Sequence, residues 1–419
     1  MLTSRERVLR ALNHQVPDRV PLDMGSTAVT GIQASSLYRL RGALGLEERP
    51  VYVHEPYQML GLVEEDVLDA LGIDIVGLGD DSTMFGFPQR DWKPWTLFDG
   101  TPVLVPGGFN TEVSGDGYLY QYPGGDHSVP PSSRMPSDGF YHDSIERQEP
   151  YDVASLDPEE WVRDMYHVYT DEELQLLEER SKALRESTTR AIIGNFGQGG
   201  FGDIAFVPGP AVAYPKGIRG VADWYMATVL YPDYVHGIFD LQLEIVLKNL
   251  ALYKQAVGDE IDVIFVGGTD FGAQTGPFIS PKAYREMFKP YHKAVNAWIH
   301  ANTDWKIFYH SCGSMVALYD DFVDAGVDIV NPVQISATGM EPRLLKERWG
   351  DTLVFWGAGV DTQHTLPFGS VEEIDAQVKE NIEILGKGGG FVFNAVHNIQ
   401  AAVPIENLRG LFDSFARYR

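Results

Sequence analysis

Lys306-Ile307-Phe308-Tyr309-His310-Ser311-Cys312-Gly313, then a helical-period stretch over 315–325, then Asp328-Ile329-Val330-Asn331, reads as one strand–helix–strand unit. Parallel strands joined this way need a right-handed crossover, so the unit implies a parallel sheet covered by helices. Outward from it, short β-branched or aromatic runs recur at 19–22, 73–78, 191–194, 261–266, 306–309, 328–331, 353–356 and 391–393. Helical periodicity fills the second half between them, at 281–300, 315–325, 341–349, 371–385 and 405–418. Eight strands alternating with helices predict an α/β chain folded as a closed (β/α)8 barrel of the TIM type, one domain over 1–419. An open doubly wound sheet binding a dinucleotide needs a glycine-rich phosphate turn after its first strand, and Asp23-Met24-Gly25-Ser26-Thr27 is not one.

Composition narrows the function. The chain has 33 Lys+Arg against 59 Asp+Glu, a net charge of -26, which repels nucleic acid and anionic lipid. No apolar run reaches signal-peptide or membrane-spanning length, so the expected location is the cytoplasm. Cys312 is the single cysteine and acts as a thiol or thiolate rather than in an intramolecular disulfide.

Two stretches depart from the strand–helix rhythm. Residues 82–158, between the second and third strands, are rich in Gly, Pro and aromatics. Asp99-Gly100 and Asp116-Gly117 mark hairpins there, which predicts an inserted β-rich subdomain serving either as a structural cover or as a lid over the barrel mouth. Residues 196–220 crowd together Gly197, Gly199, Gly200 and Gly202, which permits close backbone approach without forming a P-loop. Trp92, Trp95 and Trp224 are candidates for an aromatic lining.

The chemistry concentrates at strand ends. His310 and Cys312 are two residues apart, so in extended chain their side chains point to one side, at the barrel end where active sites lie. Imidazole and thiolate are favoured zinc ligands, and His397, just past the eighth strand, supplies a third. Taken alone, each residue reads more readily as packing than as a ligand. Asp270, past the fourth strand, suits general acid/base work or substrate orientation and equally a turn. Gln334 and Asp361 follow the sixth and seventh strands as substrate candidates, Asp361 also as a residue that fixes its own loop. The Asp80-Asp81 pair reads as a solvated turn.

Ser4-Arg5-Glu6-Arg7-Val8-Leu9-Arg10-Ala11-Leu12, Pro17-Asp18-Arg19-Val20-Pro21, His310-Ser311-Cys312-Gly313 and the close over 389–408 together resemble the uroporphyrinogen decarboxylase superfamily. The resemblance spans the chain apart from 82–158 and implies a (β/α)8 barrel. In the superfamily's decarboxylase branch an Arg-Gln-Ala-Gly-Arg segment after the first strand holds the substrate carboxylates; here Met24-Gly25-Ser26-Thr27-Ala28 stands instead, although Asp80 or Asp81 could take the place of the catalytic Asp. In the other branch, the cobamide-dependent methyltransferases, a His-x-Cys-Gly segment and a later Cys bind zinc. The resemblance therefore implies His310 and Cys312 as zinc ligands, with His397 where the family carries its second Cys and Gln334 where related zinc-dependent methionine synthases carry a Glu.

Replacing a thiolate by a neutral imidazole leaves Zn²⁺ with a net charge of about +1, a harder Lewis acid suited to polarising oxygen. The expected activity is transfer of a methyl group from a small methoxylated (O-methyl) donor to the corrinoid (cobalamin) of a partner protein, with Asp270 as acid or orienter. A homodimer is left open. The alternatives are a metal-free decarboxylase of a tetrapyrrole or smaller acid, and a non-catalytic binding barrel.

Overall fold

The computed structural model describes residues 2–79 and 81–419, so Asp80 lies outside the described residues. The first helix, Ser4–Leu12, starts on a reciprocal cap: Thr3 Oγ1 accepts the Glu6 N–H and the Glu6 carboxylate accepts the Thr3 N–H.

Strands β1 (Val51–Glu55), β2 (Leu60–Gly61), β3 (Ile75–Leu78), β4 (Lys93–Thr96), β5 (Pro102–Val105), β6 (Tyr118–Gln121), β7 (Ser133–Pro136) and β8 (Asp143–Ser144) come first. They are followed by β9 (Ala191–Asn195), β10 (Val263–Gly268), β11 (Lys306–His310), β12 (Ile329–Asn331), β13 (Val354–Ala358) and β14 (Phe391–Asn394). Among the described residues the main sheet has seven strands in the order β14-β13-β12-β11-β10-β9-β3, every adjoining pair parallel.

The expected first strand, 19–22, does not form. Its residues make one parallel bridge, Leu22 to Phe393. The Phe393 N–H donates to Pro21 O and the Asp23 N–H to Phe393 O, both at 2.9 Å, while the Asp74 N–H donates to Leu22 O at 2.8 Å on the opposite side. The segment thus joins the sheet's two outer strands through single bonds rather than a ladder. Pro21 has no N–H to extend the pairing.

Alternation along β11 sorts its side chains. Phe308 packs inside the ring with Val263, Val354, Trp356 and Val392. Tyr309 points out to the helical layer, where its hydroxyl meets His292 Nε2 at 3.0 Å. His310 therefore points inward again, at the strand's carboxyl end.

Around the sheet, helices Val371–Leu385 and Ile405–Tyr418 form as predicted. The expected helix over 281–300 is two, Pro281–Met287 and Lys289–Asn302, broken beside Pro290, which cannot donate a helical hydrogen bond. Only Tyr319–Asp324 of the stretch 315–325 is helical. No helix among the described residues is long and apolar enough to cross a membrane.

Within 82–158, β4 and β5 pair antiparallel about Asp99-Gly100, and β6, β7 and β8 form a separate sheet. β5 pairs in parallel with β1, Val51 opposite Val103, so the sheet β2-β1-β5-β4 begins upstream of the stretch. The three tryptophans also differ from expectation: Trp92 meets Tyr52, Trp95 meets Phe109 and Trp224 stacks on Trp161, at centroid distances of 5.0, 5.5 and 5.3 Å. They pack the protein against itself.

Candidate metal centre

Two glycine loops interlock at the carboxyl ends of β10 and β11. Gly313 sits at φ +91°, and a Cβ there would stand 2.3 Å from Gly272 C, while one on Gly272 would stand 2.4 Å from Cys312 O. Only glycine tolerates both the turn and the approach. Ser311 ties the loops further, its hydroxyl donating to Thr269 O at 2.8 Å and accepting the Phe271 N–H at 3.2 Å. Asp270 is held between these contacts.

His310 Nε2 lies 3.4 Å from Cys312 Sγ. Its Nδ1 is 2.7 Å from Asn331 Oδ1, an acceptor, so the proton resides on Nδ1 and the Nε2 lone pair faces the sulfur. His397 arrives from the loop after β14, which is anchored by the Val396 N–H on Val360 O and by Asn398 Oδ1 on the Gly31 N–H. The His310 and His397 rings are 5.7 Å apart, and one ligand atom from each of His310, Cys312 and His397 lies within 4.8 Å of the others. Ligand atoms around a tetrahedral zinc stand about 3.5 Å apart, so the sulfur–Nε2 pair has the spacing of two ligands to one ion.

Carboxylates border the group without neutralising it. Asp270 Oδ1 accepts the Cys312 N–H at 2.8 Å and lies 3.7 Å from His310 Nε2. Burial lowers His397 to about 4, helped by His310, which keeps the imidazole neutral and its lone pair free. Burial, Asp270 and Asp203 push the Cys312 thiol well up, so without a cation it holds its proton. A divalent ion reverses that balance.

Of the other candidates, Gln334 Oε1 accepts the Gly313 N–H at 2.8 Å and its amide donates to Gln274 Oε1 at 2.9 Å, so it braces the Cys312 turn. Asp361 is buried and turned into its own loop, accepting the Gln363 and His364 N–H groups at 3.1 Å. Those bonds fix the Asp361 loop. Asp81 lies 4.0 Å from Arg180 in a half-exposed pair.

Three neighbours went unread in the sequence. Asn331 sets the His310 tautomer. Tyr225 donates its hydroxyl to Asp270 O at 2.6 Å, and its ring meets the exposed Phe278 at 5.7 Å, the aromatic pair that the tryptophans do not supply. Asp203 follows the glycine cluster, whose crowding was the available signal. Burial and the Asp270 charge raise its carboxyl to about 8, opposed by one N–H bond from Ala205.

No curated protein matches this sequence. A methyltransferase from Methanosarcina mazei shares its structure at a TM-score of 0.57 and 18% identity, over 100% of this chain and 99% of that one. At that identity the likeness is one of fold. A phosphonomutase-like structure from Burkholderia cenocepacia J2315, with a TM-score of 0.24 and 11% identity over 53% of this chain and 69% of its own, carries no argument. The sequence profile of the uroporphyrinogen decarboxylase (URO-D) family matches residues 203–418, just over half of the chain and the part that contains every ligand of the candidate centre. The chain belongs to the uroporphyrinogen decarboxylase family.

Proposed function

We propose that this protein is a zinc-dependent methyltransferase, a single barrel domain that moves a methyl group from a small O-methyl compound to the corrinoid of a partner protein. The observation that carries the reading is the convergence of His310, Cys312 and His397. Two neutral imidazoles and one thiolate fit Zn²⁺, which supplies a Lewis acid toward an oxygen leaving group. The chain's own residues do the rest. Asn331 holds the His310 tautomer, Asp270 positions the Cys312 backbone, and Tyr225 with Phe278 lines the approach. The stretch 82–158 limits water at the mouth; in support, the His142 N–H donates to Tyr57 O in a turn whose Gln58 meets Asn398, the residue after His397.

The decarboxylase reading is weakened by the loop after Leu22. Where that activity needs basic side chains, Asn195 donates to Ser26 O, Asn394 to Asp23 O and Asn398 to Ala28 O, so the loop is stitched over the ring by amides. The test is metal content and methyl transfer to a reduced corrinoid protein. Purified wild type is expected to hold about one zinc per chain and to demethylate a methoxylated donor, with both lost in Cys312→Ala. Zinc-free wild type that decarboxylates uroporphyrinogen would overturn the proposal.

A further inference from the structure

The backbone amides on either side of the Cys312 sulfur are all engaged elsewhere. The Ser311 N–H donates to Asn331 O at 2.7 Å, the Cys312 N–H to Asp270 Oδ1 at 2.8 Å and the Gly313 N–H to Gln334 Oε1 at 2.8 Å. Beyond the turn, the Ser314 N–H donates to Ala273 O at 2.9 Å and the Met315 N–H to Met340 Sδ at 3.4 Å. Sγ itself meets the His310 Nε2 lone pair at 3.4 Å, and among the described residues no N–H or O–H group donates to it.

Gln334 is held in place for this contact by a second glutamine. Its Nε2 donates to Gln274 Oε1 at 2.9 Å, and Gln274 Nε2 donates to Ser336 O at 2.6 Å. A carbonyl at one end of this chain can only accept and a backbone N–H at the other can only donate, so each side-chain amide has one orientation. The Ala273 N–H on Gly276 O closes the turn that presents Gln274. The relay thus runs from the loop after β12, through the exposed tip of the loop after β10, to the amide that follows the sulfur.

An N–H that reaches a thiolate draws charge from the sulfur and weakens its bond to a metal. The Gly313 amide belongs to the residue next after the sulfur, so with no other acceptor it turns to Sγ. Cys312 is the single cysteine of the chain and the one anionic ligand of the candidate set. Resting on the metal-site reading, we propose that Gln334, oriented by Gln274, is a positioning residue that keeps the Gly313 N–H off the thiolate and leaves the sulfur at full donor strength toward the metal. One thiolate then offsets as much of the ion's charge as it can, and retention of the metal by so few side chains depends on the relay.

The test uses the full chain loaded with Zn²⁺ or, for spectroscopy, with Co²⁺. In Gln334→Leu the sulfur-to-cobalt charge-transfer band is expected to move to shorter wavelength, and zinc affinity by chelator competition to fall about tenfold. Iodoacetamide, for which Cys312 is the single thiol target, is expected to alkylate the variant several-fold more slowly than wild type, both in excess zinc. Gln274→Ala, at an exposed residue, is expected to give smaller shifts of the same sign, and it carries the test if Gln334→Leu does not fold. A bracing role alone has the opposite signature, because a loosened turn speeds alkylation and leaves the band in place. That result in either variant overturns the assignment while leaving the zinc centre standing. Wild type that takes up neither ion overturns the metal centre and the relay with it.

Discussion

The two ends of the ring treat buried acids in opposite ways. At the amino-terminal end, Asp74 accepts from Ser4, Arg7, Arg19 and the Leu22 N–H, and Asp262 accepts from Arg5, Arg185 and the Ile192 N–H. At the mouth, Asp23, Asp203 and Asp270 have no Lys or Arg partner among the described residues. Paired acids tie the first helix to the sheet; unpaired ones keep capacity to hold a proton or face a cation. The same side chain is a staple at one end and a chemical group at the other.

The contrast is sharpest across Leu22. Asp74→Ala leaves Arg19 without a carboxylate and Arg7 with Asp18 alone, and the expected cost is about 3 kcal/mol in chemical denaturation with zinc content unchanged. A cost below about 1 kcal/mol would erase the difference between the ends. Asp23, on the mouth side, is fully buried with Trp356 Nε1 at 2.9 Å, and burial raises it to about 6. Its native form keeps a proton that the unfolded chain has already lost above about pH 4, so its contribution to stability is present at low pH and fades as pH rises through about 6. Relative to Asp23→Asn, wild type should lose ~2–3 kcal/mol between pH 4 and 7, read from melts across that range. A flat difference would mean that the carboxyl is ionised throughout.

Asn331→Ala removes the acceptor that orients His310, and zinc affinity measured by competition with a chelator is expected to fall about 10–100-fold. At the small end, Lys182→Ala breaks an exposed i,i+4 pair with Glu178 on the helix Asp171–Ser187, remote from both ends of the ring. Its expected cost is within about 0.5 kcal/mol, so a larger effect would show that surface pairs share the burden assigned to the buried ones.

Legibility followed the range of the forces involved. The strand–helix alternation from β9 onward was readable because apolar periodicity is local, and the His310/Cys312 pair because two residues of extended chain set one direction. The segment 19–22 misled because its apolar run looks like its neighbours', whereas strand formation depends on donors that Pro21 lacks. The pairing of β1 with β5 was not legible because the two strands pair in parallel across the intervening chain. The loop-fixing part of Asp361 was legible because Asp commonly accepts N–H groups two and three residues on, as it does here from Gln363 and His364. Asn331 left no pattern in the sequence, since its importance comes from pairing with His310 on the adjacent strand.

By itself, the order of residues determined the α/β class, the acidic surface, and which side chains could hold a soft divalent cation, because periodicity, net charge and ligand type belong to the chain before it folds. The tertiary structure alone decided that residue 397 meets residues 310 and 312, and that Asp270 lies beside them with no Lys or Arg partner among the described residues. Those facts depend on loops from different strands converging on one end of a ring and excluding water there, and neither convergence nor dryness is a property of any local segment.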